Sequence, residues 1–203
     1  MTPSLNGTVT CLVSGSWLFW HELTSPLELG VLVLLIASIP ITYFLAERFP
    51  WLRKYSQRTM IIVVALLTVM GVITIVVVTY IGVRPSLSYG AWLSGSTLHV
   101  RFYEDKIVDV DICNSSMSLT STKKALDMLS IRTNGVSDPT SGTHMGYYRT
   151  HDGRKAYVII LAHSSNKAII INTGKAYVII ALPCTQRLYN ELAAARTELC
   201  TGG

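Results

Sequence analysis

Two long apolar stretches lie in the first half of the chain. Residues 60–81 contain no charged residue and no proline. A helix of this length, at about 1.5 Å per residue, crosses the roughly 30 Å hydrocarbon core of a bilayer. The alternative, a buried core helix, rarely needs so long an apolar run. Residues 27–46 form the second stretch, with Glu28 at its edge and Pro40 inside it, which membrane helices tolerate. The pattern predicts two transmembrane helices.

The loop between these two stretches is rich in positive charge. Residues 1–26, the N-terminal extramembrane segment, contain neither Lys nor Arg. The connecting loop at 47–59 contains four such residues, Arg48, Arg53, Lys54 and Arg58. Short basic loops remain in the cytoplasm. We therefore expect a cell-membrane protein with loop 47–59 in the cytoplasm and with both termini outside it. The lipid bilayer is its first expected partner.

The pattern changes after residue 95 to short runs of period two that are rich in β-forming residues. Residues 82–95 are a predicted linker. Seven strands are predicted beyond it, at 97–103, 106–113, 126–133, 144–150, 155–162, 167–172 and 175–182. Residues 184–199, after Pro183, predict a helix. The prediction for 96–199 is a small antiparallel β-barrel with a C-terminal helix.

Two of these strands share the segment KAYVII, at 155–160 and 175–180, and both are apolar on their two faces. A sheet with one face in water would alternate apolar with polar residues, so both faces are expected to be covered. The cover is either the C-terminal helix or the far side of the barrel, or else a partner protein or a neighbouring copy.

Composition narrows the function classes. Half of the residues are hydrophobic and 14% are charged, against roughly 25% charged in a soluble domain. This excludes disorder and argues against an ordinary soluble enzyme. A net charge of +5 is too small to indicate nucleic-acid binding unless it is clustered, so no nucleic-acid partner is expected.

The four cysteines would all lie outside the cell. They are Cys11, Cys113, Cys184 and Cys200, and none is part of a CxxC motif. An even number in an oxidising compartment permits disulfides. Three pairings are open, and the alternative is that the cysteines are small buried apolar residues.

Several motifs in the second half resemble the bacterial pleckstrin-homology-like domain family over residues 96–196. They are Arg132-Thr133-Asn134-Gly135, Gly146-Tyr147-Tyr148, Gly153 and the final ALPCTQRLYNEL. The resemblance implies a seven-stranded barrel that is capped at one end by the last helix and fused to membrane helices. Cys184-Thr185-Gln186 stands where the family has an acidic stretch. The resemblance implies no common biochemical activity.

Basic residues near this motif form a candidate anion site. They are Arg132, Arg149, Arg154 and Lys155. Eukaryotic pleckstrin domains bind lipid phosphates with such residues. The alternative is structural, with Arg132 and Arg149 bonding carbonyl groups of the loop that follows Gly135.

No catalytic residue, metal site or cofactor is predicted. The chain has no GxSxG, HExxH, P-loop or GxGxxG motif. His144 and His151 would be about 23 Å apart at the two ends of one strand. The favoured function is a non-catalytic membrane protein whose PH-like domain binds another protein or a second copy, as an accessory subunit of a membrane complex. The alternative is a sensor of an anionic ligand or lipid headgroup. An enzyme is the third reading.

Overall fold

The computed structural model describes residues 9–24, 26–48, 57–138, 142–161 and 166–200. The chain divides into two compact units. One is a helical unit, Phe19–Ile81, and the other is a β unit made of Met1–Leu18 and Gly82–Gly203. The helical unit is therefore an insertion between the first strand of the β unit and all of its later strands.

The described residues up to position 82 form three helices, α1 at Gly15–Leu23, α2 at Pro26–Arg48 and α3 at Gln57–Gly82. Helices α2 and α3 pack through a small residue, because a Cβ atom on Gly71 would lie 2.9 Å from Leu35 Cδ1. In the same place Thr68 Oγ1 donates to Leu35 O at 3.4 Å. Most of the described apolar side chains of α3 face outward, among them Leu67, which is 64% exposed.

One helical segment among the described residues, Ile62–Ile81, is long and apolar enough to span a membrane. The corresponding apolar run in α2 is Leu29–Ser38, which has ten residues. At about 1.5 Å per residue it covers roughly half of a bilayer core. The prediction of two transmembrane helices at 27–46 and 60–81 is therefore wrong, because among the described residues only the second stretch is apolar over the length that a crossing requires.

In the part of the β unit that the structure describes, ten strands form two sheets. The four-stranded sheet is antiparallel, in the order β1-β2-β3-β4. Its strands are β1 at Thr10–Ser14, β2 at Ser88–Ser94, β3 at Thr97–Tyr103 and β4 at Lys106–Asp111.

The second sheet has six strands, in the order β5-β9-β10-β8-β7-β6. They are β5 at Ser116–Ser121, β6 at Leu129–Asp138, β7 at Thr143–Thr150, β8 at Lys155–Ile160, β9 at Lys167–Asn172 and β10 at Ala176–Ala181. Strands β8 and β10 are parallel, and the other pairs are antiparallel. The described residues of this unit also form two helices, α4 at Thr122–Asp127 and α5 at Thr185–Cys200.

The predicted fold class was two spans followed by a small antiparallel β-barrel. The barrel is wrong, as is the number of spans. The sheets are separate, and the larger one contains a parallel pair. The seven predicted strands correspond to β3, β4 and β6 to β10. Strands β1, β2 and β5 were not predicted, since segments such as SYGAWLS and SMSLTS are rich in small and polar residues. Strand β2 lies in the segment predicted as a linker.

Both faces of the central strands of the six-stranded sheet are covered by this chain. On one face, Val158 and Ile179 belong to a core that also includes Ala125 of α4. On the other face, Phe102 of β3 meets Tyr157 edge to face at 5.4 Å. The short helix α4, which the sequence did not predict, therefore covers one face of these strands, and β3 of the four-stranded sheet covers the other. It begins at its N-cap Ser121, whose Oγ accepts from Lys124 N at 3.2 Å.

Candidate functional site

The predicted anion-binding residues do not form one cluster. Arg149 and Lys155 are cross-strand partners on β7 and β8, so they lie on one face of the sheet. Arg132 is the partner of Tyr148. Because successive residues of a strand point to opposite faces, Arg132 lies on the other face from Arg149.

The fourth predicted residue, Arg154, is held in a network of its own. Its Nε donates to Asp152 Oδ2 at 2.7 Å, and Nη1 donates to Asn172 Oδ1 at 3.3 Å. Its guanidinium lies 4.1 Å from the centre of the Tyr177 ring, while the Tyr177 hydroxyl donates to Asp152. The hydrogen bond from Thr150 Oγ1, followed by those from Arg154, holds the pKa of Asp152 below its usual range. Arg154 therefore stabilises the turn between β7 and β8.

Two disulfides fasten α5 to the four-stranded sheet. Cys11 of β1 is bonded to Cys184, immediately before α5, and Cys113, just after β4, is bonded to Cys200 at the helix end. The four cysteines that the sequence left unpaired thus connect the two ends of α5 to opposite sides of this sheet. The buried Leu188, Leu192 and Ala195 form the inner face of the helix.

The two edges of the four-stranded sheet differ. At the β1 edge, Arg187 Nη2 of α5 donates to Thr10 O at 3.1 Å, so this edge is partly covered. At the other edge, β4 pairs only with β3 among the described strands.

The backbone of β4 presents alternate residues to its unpaired side. Ile112 N donates to Ser96 O at 3.0 Å, which extends the register of β3 and β4 by one pair. Hydrogen-bonded pairs alternate along antiparallel strands, so Val110 bonds to β3. The amide and carbonyl groups of Asp109 and Asp111 therefore point away from β3, toward the open side.

A cavity of about 330 Å³ lies beside this open edge. One wall is β4 from Val108 to Asp111, and the other includes Tyr157 and Val178 of the six-stranded sheet. Ser115 also lines it; this residue is 4% exposed, and its Oγ has no hydrogen-bond partner. We call the unpaired edge of β4 together with this cavity the β4 groove.

Charged groups surround the β4 groove. Asp109 Oδ1 is 2.7 Å from His99 Nδ1, and the His99 ring stacks on Trp92 with centroids 5.3 Å apart. Asp111 accepts from Cys113 N at 2.9 Å and from Asn114 Nδ2 at 2.6 Å. These two hydrogen bonds, that of Cys113 first, lower the pKa of Asp111, so its carboxylate is negative at neutral pH. Lys175 lies on the opposite wall.

The sequence did not predict the β4 groove. The alternation Val108-Asp109-Val110-Asp111 indicates a strand with one apolar face, and the strand itself was predicted. Its position at the edge of a sheet has no local signal, because a strand becomes an edge only through the absence of a second neighbour.

The described residues contain no group of three or more His, Cys, Asp or Glu side chains that could hold a metal ion. His144 and His151 have separate partners: Ser137 Oγ lies 2.8 Å from His144 Nδ1, and His151 N donates to Met128 O.

Comparisons with known proteins identify no match: no family model matches the chain, and no curated protein or solved structure is significantly similar to it. The resemblance to the bacterial pleckstrin-homology-like family stays a prediction that rests on the residues quoted above.

Proposed function

We propose that this is a membrane-attached protein that binds another protein through the β4 groove and performs no chemistry of its own. The observation that carries the proposal is the unpaired edge of β4 beside a cavity. Strand edges offer rows of backbone donors and acceptors, and many proteins bind partners by adding a strand there. An accessory subunit of a membrane complex is a role of this kind.

The proposed location is the cell membrane, with the β unit outside the cytoplasm. Segment Ile62–Ile81 supports attachment to the bilayer. The disulfides Cys11–Cys184 and Cys113–Cys200 support an oxidising compartment, because such bonds persist there and are rare in the cytosol.

The alternative, a sensor of anions or lipid headgroups at Arg132, Arg149, Arg154 and Lys155, has less support. The charge of Arg154 is balanced by Asp152, with Arg154 Nη2 2.5 Å from Oδ2. Arg132 lies on the other face from Arg149 and Lys155.

A site-specific crosslinking experiment tests the proposal. A photoreactive amino acid is placed at Ile107 of β4 in the full chain, in its native membrane, and at Ile131 of β6 as a control; these side chains are 43% and 62% exposed. We expect a crosslinked protein at position 107 that is absent at position 131 and that binds again when purified. Equal crosslinking at both positions, or crosslinking only to a second copy of this chain, would contradict the proposal.

A protease-cleavable tag after Gly203 tests the location. Cleavage in intact cells is the expected result. Protection until lysis would place the β unit in the cytoplasm and would overturn this part of the proposal.

A further inference from the structure

The side chains of β4 limit what can occupy the β4 groove. Val110 is buried beneath the four-stranded sheet, whereas Asp109 and Asp111 are exposed on its outer face. A strand added along β4 would repeat this alternation, because paired strands share their faces. Every second side chain of the occupant would therefore enter the cavity, and the others would lie beside the two carboxylates.

The inward side chains would meet apolar side chains on the opposite wall of the cavity, which also carries Thr173 and Lys175. Tyr157, Ala176 and Val178 line the wall opposite β4. A volume of about 330 Å³ is at the small end of ligand pockets, and it suits one or two aliphatic side chains. The occupant therefore needs apolar residues of moderate size at alternate positions.

The outward side chains would meet negative charge. Asp109 and Asp111 are two residues apart on β4 and on the same face. Opposite charges on directly paired residues stabilise a sheet, and like charges destabilise it. Lysine or arginine is therefore favoured in the occupant at these positions, and glutamate is disfavoured.

Ser115 provides a second, independent indication of an occupant. Its Oγ lies in the cavity wall, is buried and has no partner, and an unsatisfied buried hydroxyl group is unfavourable. A backbone group of a bound segment would satisfy it. Charged residues on edge strands also protect against aggregation, but that protection requires neither a cavity nor an unpartnered hydroxyl.

We propose that the β4 groove binds an extended segment of a partner protein in which apolar side chains, directed into the cavity, alternate with basic side chains beside Asp109 and Asp111. This inference rests on the proposed protein-binding function and names the chemistry of the partner.

The test uses the full chain in detergent micelles and fluorescent heptapeptides with blocked ends. One peptide alternates lysine with valine, and its matched control alternates glutamate with valine. We expect the lysine peptide to bind at least tenfold more tightly. In the Asp109→Asn/Asp111→Asn variant its affinity should fall about fivefold, in line with the modest strength of exposed charge pairs. Equal affinity for the two peptides, or no binding of the lysine peptide at millimolar concentration, overturns the inference.

Pairing between the backbone of the bound peptide and β4 can be tested separately from the side-chain preferences. N-methylation of the lysine peptide at successive residues should weaken binding at every second position only, because alternate amides face β4. Asp109→Pro should weaken binding more than Asp109→Asn, since it removes an outward N–H without breaking the β3 pairing. Uniform effects of methylation would exclude strand addition.

Ser115→Ala separates binding from folding. It should weaken peptide binding severalfold while leaving the unliganded protein equally or more stable, because it removes a buried hydroxyl group that has no partner. A loss of stability would show instead that Ser115 has a purely structural role.

The crosslinking at Ile107 distinguishes failure of this inference from failure of the proposed function. If a partner is captured at position 107 and its affinity is unchanged in the Asp109→Asn/Asp111→Asn variant, protein binding stands and the alternating basic segment is wrong. If neither the peptide nor a partner binds, both proposals fall.

Discussion

Tyr157 and Tyr177 occupy the same position in the two KAYVII segments, yet their side chains lie on opposite faces of the six-stranded sheet. The strands that carry them, β8 and β10, are parallel neighbours, but Tyr157 is the partner of Val178 and not of Tyr177. An offset of one residue exchanges the faces of a strand. Tyr157 therefore meets Phe102 between the two sheets, whereas Tyr177 lies under Arg154.

The hydrogen bonds that Arg154 and Tyr177 donate to Asp152 predict that the stability of the protein depends on pH. The pKa of Asp152 is lowered in the folded protein. Its ionised carboxylate therefore contributes fully to the stability of the folded state above the usual carboxyl pKa of about 4. That contribution is lost as the pH falls through the lower, folded-state value. Asp152→Asn should therefore be less stable than the wild type at pH 7, and the difference should shrink below pH 4.

Urea denaturation at pH 7 and at several values below pH 4 measures this effect. Asp105→Asn is the matched control, since Asp105 is exposed and its Oδ1 lies 4.0 Å from Lys106 Nζ. A stability difference for Asp152→Asn that does not change with pH would contradict the assignment.

The stability of the hairpin formed by β6 and β7 is expected to depend strongly on glycine at positions 135 and 146. They are direct cross-strand partners with φ angles of 129° and 135°. A Cβ atom on either glycine would collide with backbone atoms of the opposite strand. Gly146→Ala should destabilise the protein by about 3 kcal/mol or more, since backbone strain alone costs about 1–3 kcal/mol.

Gly153→Ala is the control for this crowding. Gly153 has a φ of 82°, but a Cβ atom there would meet nothing within 4 Å. The loss of stability in Gly153→Ala should be limited to the cost of backbone strain and should be clearly smaller than the loss in Gly146→Ala. Equal losses in thermal or urea denaturation would show that the cross-strand contact is not what requires glycine at position 146.

The disulfides that hold α5 predict a redox-dependent stability. Replacing either pair by serine, Cys11 with Cys184 or Cys113 with Cys200, should lower the free energy of unfolding by about 2–5 kcal/mol. Denaturation of wild-type protein with and without a reductant should show a loss of the same sign. Free thiols in protein that was purified without a reductant would refute the two pairings.

The contact between α2 and α3 predicts which glycine of the helical unit is essential. Gly71→Leu should destabilise the unit by about 1–3 kcal/mol, because the added side chain would overlap Leu35. Gly30→Leu should have little effect, since a Cβ atom at Gly30 meets nothing within 4 Å. Thermal unfolding in detergent compares the two variants. A greater loss at position 30 would contradict the packing of α2 against α3.

Features that depend on residues close together in the chain can be predicted from the amino-acid sequence. The uncharged run at 60–81 indicates a long apolar helix, and period-two patterns indicate β3, β4 and β7 to β10. Residues 184–199, after Pro183, indicate α5. Hydrophobic periodicity is a property of neighbouring residues, so it can be recognised without knowing which elements pack together.

The pairing of strands, the pairing of cysteines and the open edge of β4 depend instead on how the chain packs in three dimensions. The parallel pairing of β8 with β10, the bond of Cys113 to Cys200 and the open side of β4 join residues far apart in the chain. The segment at 126–133 divides between α4 and β6, because Ser121 caps a helix that covers the sheet. Such choices follow from the burial of apolar faces against each other, which no local pattern contains.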